Sequence, residues 1–157
     1  MVTREARRLY IGIALVVVVA LLVPGLAGAA NSAAAKKKRR VDITVKAAVV
    51  GTSGNVNTVA GTLSGPPQGS GAVVYKTKPA GSDLAATYVA YYERGTIRGT
   101  TLVTPAPQPD GTTSFTGTLQ IKGGTGRYRG AKGKDLKIVG TLANNILTFR
   151  ITGSVRY

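Results

Sequence analysis

The chain contains no histidine and no cysteine among its 157 residues. Without histidine it lacks the side chain that most often acts as a general base near neutral pH. Without cysteine it has no thiolate nucleophile, no disulfide and few of the ligands that zinc sites use. Serine–histidine and cysteine–histidine catalysis are therefore excluded, and we expect neither a metal site nor a cofactor.

The absence of disulfides also limits how the chain can be stabilised. A polypeptide that is exported without cysteine has to be held together by its own apolar core. About 115 residues remain after the N-terminal region, which is enough to bury about two thirds of the unfolded surface in a single domain. We therefore expect one folded domain.

Acidic residues are scarce, with 6 aspartates and glutamates against 21 lysines and arginines, and the formal net charge is +15. Such a charge is typical of proteins that bind nucleic acid or anionic surfaces. Much of it lies in the first 8 residues and in the run 36–40 (KKKRR). The other basic residues are scattered and lack an aromatic stacking platform, so we expect no specific nucleic-acid binding.

The N-terminal region has the three parts of a secretory signal. Three arginines precede an apolar stretch over 11–23, and residues 27–29 (AGA) match the small-x-small cleavage pattern. We expect residues 1–30 to form a hydrophobic helix that serves as a signal peptide, and the protein to be secreted or located in the cell envelope. The alternative is an uncleaved membrane anchor, because the uncharged stretch 9–35 exceeds the roughly 20 residues that cross a bilayer.

Residues 31–40, which are rich in alanine and then in basic residues, are interpreted as a linker. The run 36–40 places more positive charge after the apolar stretch than before it, which opposes export under the positive-inside tendency. We favour export because the run lies more than a dozen residues beyond Leu22. Its role stays open between a solvated linker and a tether to a membrane or an anionic envelope polymer.

From Val41 onward the composition changes to β-branched and threonine-rich runs separated by Gly, Pro, Asn and Asp. No segment has the apolar period of a helix. The runs predict strands over about 41–50, 56–64, 71–78, 83–93, 95–104, 112–122, 133–143 and 146–156. Because eight is a common strand number of small barrels, residues 41–157 are predicted to be all-β, as an eight-stranded antiparallel closed β-barrel.

Alternation identifies the inward face of the predicted strands. Phe149 and Ile151 alternate with Arg150 in the last strand, and the Asn144-Asn145 pair predicts a tight hairpin before it. Glycines lie near the middle of four inward faces: Gly99, Gly117, Gly140 and Gly153. Small residues there either let a small barrel close or leave room for a cavity, and both interpretations stay open.

A glycine-rich segment follows the sixth predicted strand. It consists of Gly123, Gly124, Thr125, Gly126, Arg127, Tyr128, Arg129, Gly130, Ala131, Lys132 and Gly133. We expect the glycines at 123, 124 and 126 to supply unusual φ angles, and those at 130 and 133 to allow close backbone approach. With its flanking strands, the segment resembles the corresponding part of the dirigent and allene oxide cyclase barrel superfamily.

This resemblance implies an eight-stranded barrel in which residues 123–133 form a short turn across one end, with Tyr128 beneath the turn. Because the superfamily contains plant cyclases and proteins that direct stereoselective coupling, it also implies a cofactor-free cyclase or isomerase as an enzymatic alternative. Trimers among its members imply self-association. The signal-like N-terminus and the lack of cysteine indicate a bacterial member of this group.

Chemistry inside a barrel needs ionisable or strongly polar groups that point into the lumen. The inward faces of the last four predicted strands offer none, so we assign no catalytic residue. The remaining candidates for ligand binding are Tyr75, Tyr88, Tyr91, Glu93 and Arg94. We favour an outward position for Glu93, and we predict an exported barrel of binding or structural type that holds an apolar small molecule in its lumen.

Overall fold

The computed structural model describes residues 36–157, in which eight strands form a closed antiparallel barrel. The strands are β1 (Lys38–Ser53), β2 (Val56–Ser64), β3 (Gly71–Ala80), β4 (Asp83–Tyr92), β5 (Gly95–Pro107), β6 (Thr113–Gly124), β7 (Gly133–Ala143) and β8 (Ile146–Arg156). Each strand pairs with its neighbours in sequence, and β8 pairs with β1. The predicted barrel is confirmed. The helix and signal peptide predicted within residues 1–30 lie outside the described residues.

Strand β1 begins three residues earlier than expected. Residues 38–40 pair with residues 154–156 of β8, so the last three residues of the basic run belong to the barrel wall. The physical reason is that β8 continues to Arg156. The backbone groups at its end need hydrogen-bond partners, and residues 38–40, which run antiparallel beside them, provide these. Within residues 36–157, no helix has the length and apolar character needed to cross a bilayer.

Alternation along the strands separates core from surface as predicted. In β8, Phe149, Ile151 and Val155 are buried, whereas Arg150 and Arg156 are exposed. The same pattern in all eight strands produces one apolar core inside the barrel. Apart from three tyrosines, Thr101 is the one buried residue with a polar side chain among the described residues.

The two ends of the barrel differ in their connections. The end that we call the open end carries four short turns or loops, at 54–55, 81–82, 108–112 and 144–145. At the last of these, Asn144 and Asn145 have φ angles of 50° and 61°, which confirms the tight hairpin. The closed end carries the loop 65–70, the turn Glu93-Arg94 and the longer connection 125–132.

The glycine-rich segment crosses the closed end, as the resemblance implied. After Thr125 the chain makes one 3₁₀ turn (Gly126–Tyr128). The Tyr128 ring is 3 % exposed beneath it and packs against the rings of Tyr92 and Tyr157, with centroids 5.4 and 5.1 Å away. The backbone N–H of Arg127 donates to the carbonyl of Arg94, which ties the segment to the β4–β5 turn.

The expected roles of the glycines in this segment need two corrections. Gly130, expected to allow close backbone approach, instead has a φ of 69°, and a Cβ there would meet only the side chain of Lys36. Gly126 has a φ of 55°, as predicted, but Gly123 and Gly124 are the extended last residues of β6 and do not have positive φ angles. Gly124 is required by close approach instead, because a Cβ there would overlap the carbonyl of Thr96 and lie 2.7 Å from the carbonyl oxygen of Tyr128.

Close approach also explains the glycines on the inward faces of β5, β6 and β7. A Cβ on Gly99 would overlap the carbonyl of Gln120 and lie 2.9 Å from the Tyr88 ring. A Cβ on Gly117 or on Gly140 would lie 2.7 or 2.8 Å from a backbone Cα atom of the neighbouring strand. These glycines therefore allow the strands to coil tightly enough for the barrel to close.

An ion pair spans the β1–β8 seam. The guanidinium of Arg150 donates two hydrogen bonds of 2.6 Å to the carboxylate of Asp42, and this contact holds the pKa of Asp42 below its ordinary value. The side chains remain 63 % and 27 % exposed, so the pair contributes little to stability. Its main consequence is that both charges are neutralised at the seam.

We predict that Gly99→Ala destabilises the barrel by about 1 to 3 kcal/mol, because the added methyl group forces apart backbones that are in contact. The free energy of unfolding in urea measures this effect. Gly51→Ala is the matched control, since a Cβ at Gly51 meets no atom within 4 Å, and it should change that free energy by less than about 0.5 kcal/mol. Equal effects of the two substitutions would contradict this explanation of closure.

Candidate functional site

The lumen contains a cavity of about 210 Å³ at the open end. All eight strands contribute to its wall, through Val49, Asn57, Val59, Tyr75, Thr77, Leu84, Ala86, Thr101, Val103, Pro105, Thr113, Phe115, Ile138, Leu142, Leu147 and Phe149. For comparison, a cavity of about 150 Å³ lined by aliphatic and aromatic side chains accommodates one benzene molecule. This cavity therefore has room for one small organic molecule.

Three aromatic rings form the floor of the cavity. The rings of Tyr75 and Phe115 each contact Phe149 edge to face, with centroids 5.8 Å away, and Tyr75 also packs against Tyr88 at 5.7 Å. Towards the closed end lies a second space of only about 30 Å³, which Tyr75 also lines. The lumen is thus hollow on one side of Tyr75 and closely packed on the other.

The cavity reaches solvent at the open end. Its lining residues become more exposed towards the turns, where Val49 is 50 % exposed and Leu84, Thr113 and Leu147 are half-buried, whereas Tyr75 at the floor is buried. The cavity therefore meets solvent between the turns of the open end.

The polar groups of the cavity are neutral. The lining residues that carry a polar group are Asn57, Thr77, Thr101, Thr113 and Tyr75. Burial raises the pKa of Tyr75 well above its ordinary value, so its hydroxyl keeps its proton at physiological pH. No carboxylate, lysine or arginine lines the cavity, and within residues 36–157 no cluster of acidic side chains could hold a metal ion.

The structure separates the five residues that the sequence singled out for ligand binding. Tyr75 and Tyr88 lie together in the core, with Tyr75 at the cavity and Tyr88 below it. Tyr91 is 49 % exposed on the outer wall. Glu93 and Arg94 are exposed in the β4–β5 turn at the closed end, which agrees with the outward position favoured for Glu93. These last three residues therefore do not line the cavity.

Sequence reasoning missed the small residues that make the cavity. Ala86 and Thr101 face each other across the β4–β5 pair and leave space where larger side chains would meet. Alternation already places Thr101 on the inward face, two residues after Gly99. Ala86 could have been identified in the same way, since it lies two residues before Tyr88. The space itself depends on which side chains meet across the lumen, and this is fixed by strand register.

A shallow depression on the outer wall is a weaker candidate for a binding site. It covers about 420 Å³ over β3, β4 and β5, beside Lys76, Lys78, Thr87 and Thr100. Lys76, Lys78 and Thr87 are exposed side chains that project into solvent, so this groove would bury little of a bound molecule. The lumen offers the enclosure that ligand sites usually need.

Comparisons of the chain with protein-family models, with curated proteins and with solved structures found no match. Function therefore has to be inferred from the cavity and the surfaces of the barrel.

We predict that the barrel loses stability as the pH rises above about 10, the ordinary pKa of tyrosine. Burial raises the pKa of Tyr75 and of Tyr88, so the folded chain resists an ionisation that the unfolded chain permits. The stability contributed by each tyrosine is fully present below the unfolded-state pKa and is lost above it, at about 1.4 kcal/mol per pH unit.

Urea unfolding between about pH 9 and pH 11 tests this prediction. The variants Tyr75→Phe and Tyr88→Phe should each reduce the pH dependence of the free energy of unfolding, because phenylalanine cannot ionise. The control is Tyr91→Phe, which changes a half-exposed ring and should keep the full dependence. An unchanged slope in Tyr75→Phe would show that this hydroxyl ionises freely in the folded barrel.

Proposed function

We propose that the protein is an exported binding barrel whose lumen holds one small, neutral, apolar molecule. The observation that carries this proposal is the cavity of about 210 Å³, which is lined mainly by aliphatic and aromatic side chains and reaches solvent at the open end. An apolar ligand that enters such a site removes its own surface and that of the wall from water, which favours binding.

The lining narrows the class of ligand. A volume somewhat above the roughly 150 Å³ that accommodates benzene suits one ring with short substituents, the size of a monoterpenoid or an alkylbenzene. Thr101, a buried lining residue, offers a hydroxyl for a hydrogen bond to a single alcohol or carbonyl oxygen. A carboxylate would lie there without a cation, at a desolvation cost of several kcal/mol, so a fatty acid fits poorly.

The sequence of residues 1–30 supports the localisation in this proposal, because it has the pattern of a signal peptide or a membrane anchor. The protein would thus act outside the cytoplasm or in the cell envelope. We also propose that the barrel is related to the dirigent and allene oxide cyclase group. The support is the glycine-rich segment over the closed end, with Tyr128 buried beneath it.

The alternative of a cyclase or isomerase has less support. Such an enzyme needs an acid or a base beside its substrate. Glu93 and Arg94, the two strongest candidates in the sequence, lie in a turn at the opposite end of the barrel from the cavity. A binding role requires only the shape and the apolar wall.

We predict that limonene or toluene binds the wild-type barrel saturably, and that Ala86→Phe weakens this binding by at least about tenfold because the new ring occupies the cavity. Titrations followed through methyl NMR signals of the cavity wall, such as those of Val59, Ile138 and Leu142, measure both affinity and position. Native mass spectrometry of the freshly purified protein tests for a ligand that co-purifies.

The matched control is Ala85→Phe, which adds the same ring to the neighbouring residue on the outer side of β4. It should leave the affinity unchanged, and thermal unfolding should show that both variants remain folded. Equal binding by wild type and Ala86→Phe, or signal changes restricted to the outer wall, would refute a site in the lumen.

A further inference from the structure

The closed end of the barrel collects ten basic residues from separate parts of the chain. They are residues 36–40, Arg94, Arg127, Arg129, Lys132 and Arg156, and we call them the basic surface. All of them are exposed except Arg39, which is half-buried. In the sequence only the five residues of the run 36–40 are clustered. The fold brings five more basic residues to the same end of the barrel.

Several contacts hold these residues together. The ammonium of Lys36 donates a 2.7 Å hydrogen bond to the carbonyl of Gly130. The backbones of Lys132 and Arg156 exchange two hydrogen bonds, of 3.0 and 2.9 Å. The guanidinium of Arg39 lies over the Tyr157 ring, 5.3 Å from its centroid. The basic surface is therefore part of the folded barrel and not a loose tail.

Few acidic groups offset this charge. Glu93 is the one acidic residue in the connections of the closed end. Asp135 is exposed near the start of β7, and Asp42 is already paired with Arg150. The connections of the open end contain no lysine or arginine and include Asp110. The described part of the protein thus has a strongly positive end opposite the mouth of the cavity.

Two observations favour a lipid bilayer over nucleic acid as the partner. In the anchor alternative, the uncharged apolar stretch 9–35 directly precedes Lys36 and partitions into the membrane, which would bring the basic surface to the lipid headgroups. The aromatic rings at this end, Tyr92, Tyr128 and Tyr157, pack against one another and offer no platform for stacking bases.

We propose that the basic surface docks the barrel on a bilayer that contains anionic phospholipid, with the open end directed away from the membrane. Each lysine or arginine close to such a surface strengthens docking by about fivefold. The interaction weakens as salt is added, because the Debye length decreases to about 3 Å at 1 M.

The absence of cysteine allows a direct test with the full chain. A single cysteine introduced by Ser70→Cys labels the closed end, and one introduced by Ser82→Cys labels the open end. Each labelled protein is mixed with vesicles that carry a headgroup-attached quencher. One set of vesicles contains phosphatidylglycerol with phosphatidylcholine, and the other contains phosphatidylcholine alone. We expect quenching of the label at position 70 to be stronger with the anionic vesicles, and the label at position 82 to stay unquenched.

The charge requirement is tested with two triple variants. Arg94→Gln, Arg127→Gln and Arg129→Gln together should shift the docking equilibrium by on the order of a hundredfold towards the undocked barrel. Lys46→Gln, Lys76→Gln and Lys137→Gln remove the same charge from exposed positions on the barrel wall and should have little effect.

Three results would overturn the proposal. The first is equal quenching at position 70 with anionic and neutral vesicles. The second is an equal loss of docking in the two triple variants, which would show that docking depends on net charge and not on the basic surface. The third is withdrawal of the barrel from anionic vesicles by duplex DNA at matched phosphate concentration, which would identify the surface as a nucleic-acid site.

Discussion

Closure of the sheet through the β1–β8 pairing is the constraint on which the other features of this barrel depend. A closed sheet has no edge, so the backbone groups of every strand find partners within the wall. Closure with only eight strands requires strong coiling, and Gly99, Gly117 and Gly140 permit it because neighbouring backbones approach where a Cβ would stand. The chain thus encloses an apolar core without disulfides. The three glycines allow this closure, although they contribute no side chain to the core.

The same small residues divide the lumen into two unlike halves. Towards the closed end, Leu136, Tyr88 and Ile97 fill the space between the strands. Towards the open end, the inward residues Ala86 and Thr101 are small, and the space beside them stays empty above the aromatic floor. The hollow half is therefore a consequence of composition at a few inward positions, within a fold that is the same throughout.

The strands could be predicted from the sequence because a period of two is a local signal: Phe149 and Arg150 alternate as the sheet requires. Non-local features could not be predicted in this way. Gly124 looked like a turn residue, but its requirement comes from Thr96 and Tyr128, which only the folded chain brings close. The cavity beside Ala86 likewise depends on register across strands. The outward position favoured for Glu93 follows from the end of β4 at Tyr92, which places Glu93 in the turn.

Chain topology explains why the cavity and the basic surface lie at opposite ends. With an even number of antiparallel strands, the start of β1 and the end of β8 meet at the same end of the barrel. The basic run enters there, beside Arg156, and the connection 125–132 and the turn at Arg94 also lie there because they follow even-numbered strands. The mouth of the cavity then belongs to the turns that follow odd-numbered strands. The proposed docking surface and the proposed ligand site therefore do not compete for the same end of the barrel.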